Sequence, residues 1–362
     1  MATDRPANLS SRQQQVMRST VRHYVTTVEP VASKALLEAF DLNVSAATIR
    51  NVMGALERAG FLYQPHTSAG RVPSDSGYRL YVDKLIQPSK PAAQRTDRLL
   101  NQQLKCQGWS VEALLQEAAQ ILAHLSGYVA LVTLPQLEKM VVKHLQLVQL
   151  SADQMLLVVV LEGYGSESMV IRLPQGTTGI TNTEETIDLT RELQILSNFL
   201  TSQLRGRPLS EISTLDWDEV DTAEHHVLAL CKAIDELAQR KRRPYTHILM
   251  TGMADVLSQP EFSEQGQLRN LVSLLAEERE QLWPLMCADE HHPLKIWIGQ
   301  ENPLEPMQGC ALIAAPYNRD SMAVGSVGVM GPTRMLYEDT IATVEATSSY
   351  LSEIMSGLDV NQ

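Results

Sequence analysis

The chain lacks any long hydrophobic run. Its longest aliphatic stretch, "MLLVVVL" at 155–161, falls far short of the ~20 residues that span a bilayer. The opening "MATDRPANLSSRQQQ" has no apolar segment of the signal-peptide kind, so a cytoplasmic protein is expected. Cysteine is scarce: Cys106, Cys231, Cys287 and Cys310 are far apart, with no C-x-x-C and no histidine at ligand spacing, which makes buried free thiols the expected state. Catalytic signatures are missing too. There is no G-x-S-x-G, and "GSVGVMG" lacks both the Lys-Ser/Thr of a phosphate loop and the G-x-G-x-x-G spacing. Its glycines at 325, 328 and 331 suit a strand that runs into a turn at Gly331-Pro332. The histidine pairs at 225–226 and 291–292 have no acidic or cysteine partner at metal-site spacing, which favours surface or capping roles. No enzyme, cofactor or metal is called for.

What is present is room and charge asymmetry. A length of 362 residues accommodates two or three domains of about 100–150 residues each. With 44% hydrophobic and 20% charged residues the composition is that of a soluble globular chain. The net charge of −12 by itself argues against a nucleic-acid partner. Its distribution reverses that reading: residues 1–90 hold eleven Lys or Arg against seven Asp or Glu, a local +4 that leaves −16 for the rest. A basic head on an acidic body points to nucleic-acid binding in one half.

The head reads as three helices, a hairpin and a further helix. Ser10 or Ser11 can cap a helix running to about Thr26, and "EPVASKALLEAF" restarts after Pro30 with Ser33 as N-cap. A third helix, from about Ala46 to Ala59, has Ser45 as N-cap, Ile49, Val52, Met53 and Leu56 on one face, and Gly60 as its stop. The opposite face carries Ala47, Asn51, Gly54 and Arg58, flanked by Thr48 and Arg50. "FLYQPH" and "GRVPS" then form a hairpin with "TSAG" at its tip, and Ser74 caps the next helix. This order is that of a winged helix-turn-helix, in which the third helix enters the major groove and the wing meets backbone or minor groove. Asn51 suits adenine, Arg50 or Arg58 suits guanine or phosphate, and Arg71, beside the small Ala69 and Gly70, suits a close approach to DNA. Winged helices also serve as protein-binding modules, so the pattern alone leaves both readings open.

"QPSKPAAQ" at 87–94 reads as a linker. A helical stretch follows at roughly 95–125, then closely spaced strands ("GYVALVTL", "KHLQLVQLS", "QMLLVVVLEG", "SMVIRL") that suggest an antiparallel sheet. A helical block at about 174–243 interrupts before the strands "THILMTG", "LKIWIG", "CALIAAPY" and "MAVGSVGVMG" return, accompanied by helices near 264–282 and 337–356. Such a block looks like an insertion within one domain.

The segment "SAATIRNVMGALERAGFLYQPHTSAGRVPSDSGYRLYVDKL" (45–85) resembles the N-terminal region of the heat-inducible transcription repressor HrcA family, with further echoes in "IGQENPLEPMQGCALIAAPY" and "GVMGPTRMLY". The resemblance spans nearly the whole chain. It implies an α+β, multi-domain protein: a winged helix (1–88), then a GAF-like antiparallel sheet domain in two parts (95–173 and 244–358), interrupted by an inserted dimerisation domain (174–243). It further implies a homodimer that binds the inverted-repeat CIRCE operator on double-stranded DNA, represses heat-shock chaperone operons of the groESL and dnaK type, and depends on the GroE chaperonin. Carried over to this chain, the DNA contacts are Thr48, Arg50 and Asn51 in the helix and His66, Thr67, Ser68, Gly70 and Arg71 in the wing. The competing reading is a regulator gated by a small molecule in the GAF-like domain, with "MLLVVVLEG" and "CALIAAPY" as candidate pocket walls; filled core strands are the simpler account of both.

Overall fold

The computed structural model describes residues 9–42, 44–104, 110–135, 141–151, 154–161, 165–172, 183–207, 211, 215, 248–254, 265–287, 294–319 and 322–357. Helix α1 (Ser11–Thr27) starts at Ser10, whose hydroxyl accepts from Gln13 N while the Gln13 side chain accepts from Ser10 N, a reciprocal capping box. Helix α2 (Ser33–Ala39) begins one residue earlier than its sequence suggests: Ala32 is the N-cap, without a side-chain bond, and Ser33 is buried in the first turn. Helix α3 (Ala46–Arg58) is capped by Ser45, and Gly60 leaves it at φ 82°. Strands β1 (Leu62–Tyr63) and β2 (Val72–Pro73) make the wing. Ser74 caps α4 (Asp75–Leu80), which runs on into one wide π-helical turn, Tyr81–Leu85.

The stretch read as a linker is mostly helix. Ser89 caps α5 (Lys90–Gln103) and Pro91 sits in its first turn, where the missing N–H is no loss. Helix α6 (Val111–Ser126) and strand β3 (Val129–Thr133) follow. Strands β4 (Val142–Ser151), β5 (Gln154–Leu161) and β6 (Gly165–Arg172) form a separate antiparallel sheet, and helix α7 (Thr183–Leu204) covers one of its faces. Strand β7 (Ile248–Thr251), helices α8 (Gln265–Glu277) and α9 (Trp283–Met286), strands β8 (Lys295–Ile298), β9 (Cys310–Arg319) and β10 (Met322–Pro332), and helix α10 (Tyr337–Gly357) complete the chain. The main sheet has the order β7-β3-β10-β9-β8, antiparallel throughout.

The two sheets have two cores. Leu145, Leu147, Met155, Leu157 and Val159 pack with Leu193, Leu196, Leu200 and Leu204 of α7 in one cluster. The alternation along β5, with every second residue buried, is the signature of a sheet covered on one face. Helix α7 also occupies the free edge of β4: Thr201 Oγ1 accepts from Leu145 N and donates to Leu145 O, and Ser197 Oγ accepts from Leu147 N. These hydroxyls stand where another strand would bond. The sequence pattern places 95–173 in the sheet domain and the insertion from 174; in the structure β4–β6 pair with one another and pack with α7, while β3 pairs with β7 and β10. Most of 174–243 lies outside the described residues.

The larger core is continuous from the head into the body, running from Val16 and Leu56 through Leu100 and Leu122 to Ile313 and Leu351. Two acidic residues of the body fasten the head at this junction. Glu301 binds Arg79 of α4 by both oxygens. Glu338, in the first turn of α10, accepts from Tyr81 Oη at 2.6 Å and from Arg22 at 3.1 and 3.2 Å, while its backbone carbonyl accepts from Ser89 N. Burial raises the Tyr81 pKa, and its hydrogen bond to Glu338 adds to the rise, so the phenol stays a donor. Burial works against the Arg79 charge, but the bonds to Glu301 outweigh it. Beside them Tyr78 packs on Tyr337 with ring centroids 5.8 Å apart. The Tyr78 hydroxyl is buried without a hydrogen-bond partner among the described residues. Cys310 is buried and its thiol is pushed up to about 12 by that burial; Cys106 and Cys231 lie outside the described residues.

Two outcomes follow for the junction. In a double-mutant cycle, Arg79→Ala and Glu301→Ala should couple by about 0.5–3 kcal/mol in denaturant unfolding; additivity would mean that the pair does not hold the head. Tyr78→Phe removes an unpaired donor and should leave stability unchanged or improve it by up to about 1 kcal/mol, and a clear loss in melting temperature would reveal a partner for the hydroxyl.

Candidate nucleic-acid interface

Helix α3 turns two chemically different faces outward and inward. Ile49, Met53 and Leu56 are buried and Val52 is half-buried, while Ala47, Arg50, Asn51 and Arg58 are exposed and Thr48 and Gly54 partly so. The outer face is therefore the one the periodicity assigns. Thr48 is held at the start of the helix, its N–H donating to Ser45 Oγ at 3.2 Å and its hydroxyl 3.0 Å from the same atom. Arg50, Asn51 and Arg58 have no hydrogen-bond or ion-pair partner for their side chains among the described residues. Free donors of this kind, aligned on one helix, are what base edges and phosphates accept from. Arg58 lies over Gly54, one turn back on the same helix face.

The wing is a compact loop closed from within. Gln64 donates its side-chain amide to Thr67 O and Ala69 O, at 2.9 and 2.8 Å, and Ala69 N donates to His66 O. His66, Thr67 and Ser68 are thereby left exposed at the tip. Gly70 and Arg71 make contacts within the head itself. Gly70 faces the backbone of Pro30 and Val31, and any Cβ there would run into the Val31 carbonyl. At this approach Val31 and Arg71 exchange two backbone hydrogen bonds, of 2.9 and 2.8 Å, forming a one-residue antiparallel bridge beside the two-stranded wing. The small residue admits the protein's own chain, a use visible only once residues 31 and 71 meet.

Arg71 is bound as well. Its Nε and NH2 each lie 2.9 Å from Glu57 Oε2, with the Arg71 side chain only 23% exposed. The pair ties the wing to α3 and neutralises one wing cation, so the arginine positions the two elements relative to each other. Glu57 and Gln64 were not among the residues singled out by sequence. Their partners are tertiary or loop-internal, and nothing in spacing announces them.

The strands weighed as walls of a small-molecule pocket do not meet. Residues 155–161 form β5 of the smaller sheet, whereas 310–317 lie in β9 of the main sheet with nearly every side chain buried. The glycines at 325, 328 and 331 belong to β10, as a glycine-bearing strand. The histidine pairs at 225–226 and 291–292 lie outside the described residues, and among the described residues no cluster of His, Cys, Asp or Glu has metal-binding form. No helix is long and apolar enough to cross a membrane among the described residues.

Gly70→Ala tests the wing closure: the added methyl must displace the 30–31 backbone, and a loss of about 1–3 kcal/mol in unfolding free energy is expected from such overpacking. A midpoint equal to the parent chain's would show that the approach is not as close as described.

Comparison with known proteins agrees with this architecture. The family model for the HrcA protein C terminal domain matches residues 112–341. The heat-inducible transcription repressor HrcA of Trichormus variabilis is 51% identical over 363 aligned residues, covering 96% of this chain and 99% of the relative. The same-named protein of Synechococcus elongatus is 48% identical, covering 97% and 99%. A crystal structure of a hypothetical protein, 23% identical, shares the fold with a TM-score of 0.62 over 97% of this chain and 100% of that one. At this identity, over nearly the full length, the chain belongs to the HrcA family of heat-inducible transcription repressors.

Proposed function

We propose that this repressor reads an inverted-repeat operator, of the CIRCE type that the family resemblance implies, through α3 and the wing tip. The observation that carries the reading is the outer face of α3: Arg50, Asn51 and Arg58 are exposed and unpaired among the described residues, beside a rigidly closed wing whose tip presents His66, Thr67 and Ser68. Asn51 and Arg50 are assigned to base edges, Thr48 and Arg58 to the flanks and phosphates, and the tip residues to backbone or minor groove. Gly70 and Arg71 belong to the same interface as its framework: one lets the wing close on Val31 and the other fixes its angle to α3.

Two heads on a homodimer match the two-fold symmetry of an inverted repeat. The unit made of β4–β6 and α7 is the dimerisation element in this reading, replacing the boundary at 174. Its open sheet face supports this: Val148, Leu156 and Val170 are cross-strand neighbours, with Val148 39% and Val170 52% exposed. Bound near a promoter, the dimer excludes polymerase from heat-shock chaperone operons. Relief on heating follows if the active form is marginally stable and needs the GroE chaperonin to persist, since a multi-domain chain folds through aggregation-prone intermediates.

The test is binding to an inverted-repeat duplex and to a scrambled one across salt concentrations, with and without chaperonin. Asn51→Ala should lose about 1–3 kcal/mol of discrimination between the two duplexes. Equal weak binding to both, indifferent to this substitution and to added chaperonin, would replace DNA reading by protein binding. Full operator binding recovered after heating and cooling without chaperonin would remove the chaperonin from the mechanism.

A further inference from the structure

A second concentration of positive charge lies outside the α3 face. Arg18 and Arg22, one turn apart on α1, and Lys84, Leu85, Ile86 and Gln87 at the end of the head line a concavity of about 370 Å³. Three of the six lining residues are cations and none is an acid, in a chain whose net charge is −12. A concave surface lined by one sign of charge concentrates its field and draws counter-ions of the other sign.

The lining is assembled by the same turn that seats Tyr81 and Leu85 in the core. Helix α4 ends in the wide π-helical turn Tyr81–Leu85, in which Tyr81 and Leu85 are both buried while Lys84 is exposed beside α1. Single π-turns of this sort often accompany functional sites. Arg18 and Lys84 have no ion-pair or hydrogen-bond partner for their side chains among the described residues. Neighbouring Asp83 is engaged with Arg79 at 3.3 Å. Arg22 is held in place by Glu338 through Nε and NH2, with its side chain still 53% exposed. Among the described residues Glu338 is the one carboxylate attached to the group, and it leaves an excess of positive charge.

We infer that this concavity binds a phosphate group, with Arg18, Arg22 and Lys84 as its donors. An arginine and a lysine reaching in from two elements, with a third cation pre-oriented by a fixed carboxylate, suit a tetrahedral dianion better than a single halide or carboxylate. The phosphate comes from a phosphorylated small molecule or from the DNA backbone. In both cases occupancy reports on the junction, because Arg22 also clamps α1 to the first turn of α10 through Glu338.

The experiment uses the full chain and inorganic pyrophosphate as probe, titrated by calorimetry at constant ionic strength. Arg18→Ala and Lys84→Ala should each weaken pyrophosphate binding by about tenfold, and Lys34→Ala, an exposed cation paired with Glu38 on α2, should not change it. A parallel arm measures the salt dependence of duplex binding. If either substitution lowers the slope by about one unit and pyrophosphate competes with duplex, the phosphate is the DNA backbone's. If pyrophosphate binding falls and the slope holds, it belongs to a free phosphorylated molecule. The site does not exist if neither quantity responds to Arg18→Ala or Lys84→Ala, or if Lys34→Ala acts as strongly. The pyrophosphate arm needs no operator, so failure of DNA reading and failure of this site are separable.

Discussion

The geometry of the DNA-binding head depends on one close passage of backbone past backbone. At Gly70 the returning arm of the wing comes against Pro30 and Val31, the segment that leads into α2. Two hydrogen bonds between Val31 and Arg71 hold it there, and the Arg71–Glu57 pair fixes the same arm to α3. A helix and a wing present one surface only if their relative angle is constant, and here that angle is set by backbone bonds plus a partly buried ion pair. The closed loop, spanned by Gln64, then presents residues 66–68 as an exposed tip.

From this head, order extends into the body by ordinary hydrophobic packing made specific by two carboxylates. The large core passes without a break from α1–α3 to the main sheet. Apolar contact alone is indifferent to small rotations. Glu301 on Arg79, and Glu338 on Arg22 and Tyr81, select one orientation among those that bury similar area. The residues that join head and body are also those that hold α1 and α4.

Much of the fold was legible from local pattern. The outer face of α3, the caps at Ser10, Ser45 and Ser74, the exit at Gly60 and the C-terminal helix follow from side-chain periodicity and from hydroxyls placed one residue before a helix. The failures have physical causes too. Pro and Lys at 87–94 look like a linker, yet Pro91 is compatible with a first helical turn, and the helix that forms there packs on α10. Strands β3 and β4 are neighbours in sequence with similar composition, and nothing local says that one pairs with β7 and β10 and the other with β5.

The sequence by itself determined the class of molecule: a basic winged-helix head on an acidic body, with the α3 residues that face outward and the long motif shared with its family. These depend on periods of 3.6 and 2, on turn chemistry and on local charge, all properties of short segments. Only the tertiary structure decided what Gly70 and Arg71 do, which strands share a sheet, and how Arg22 and Arg79 join head to body. Each of these requires residues between 14 and more than 300 positions apart to meet. Such meetings are set by the packing of whole elements against one another, which no local pattern encodes.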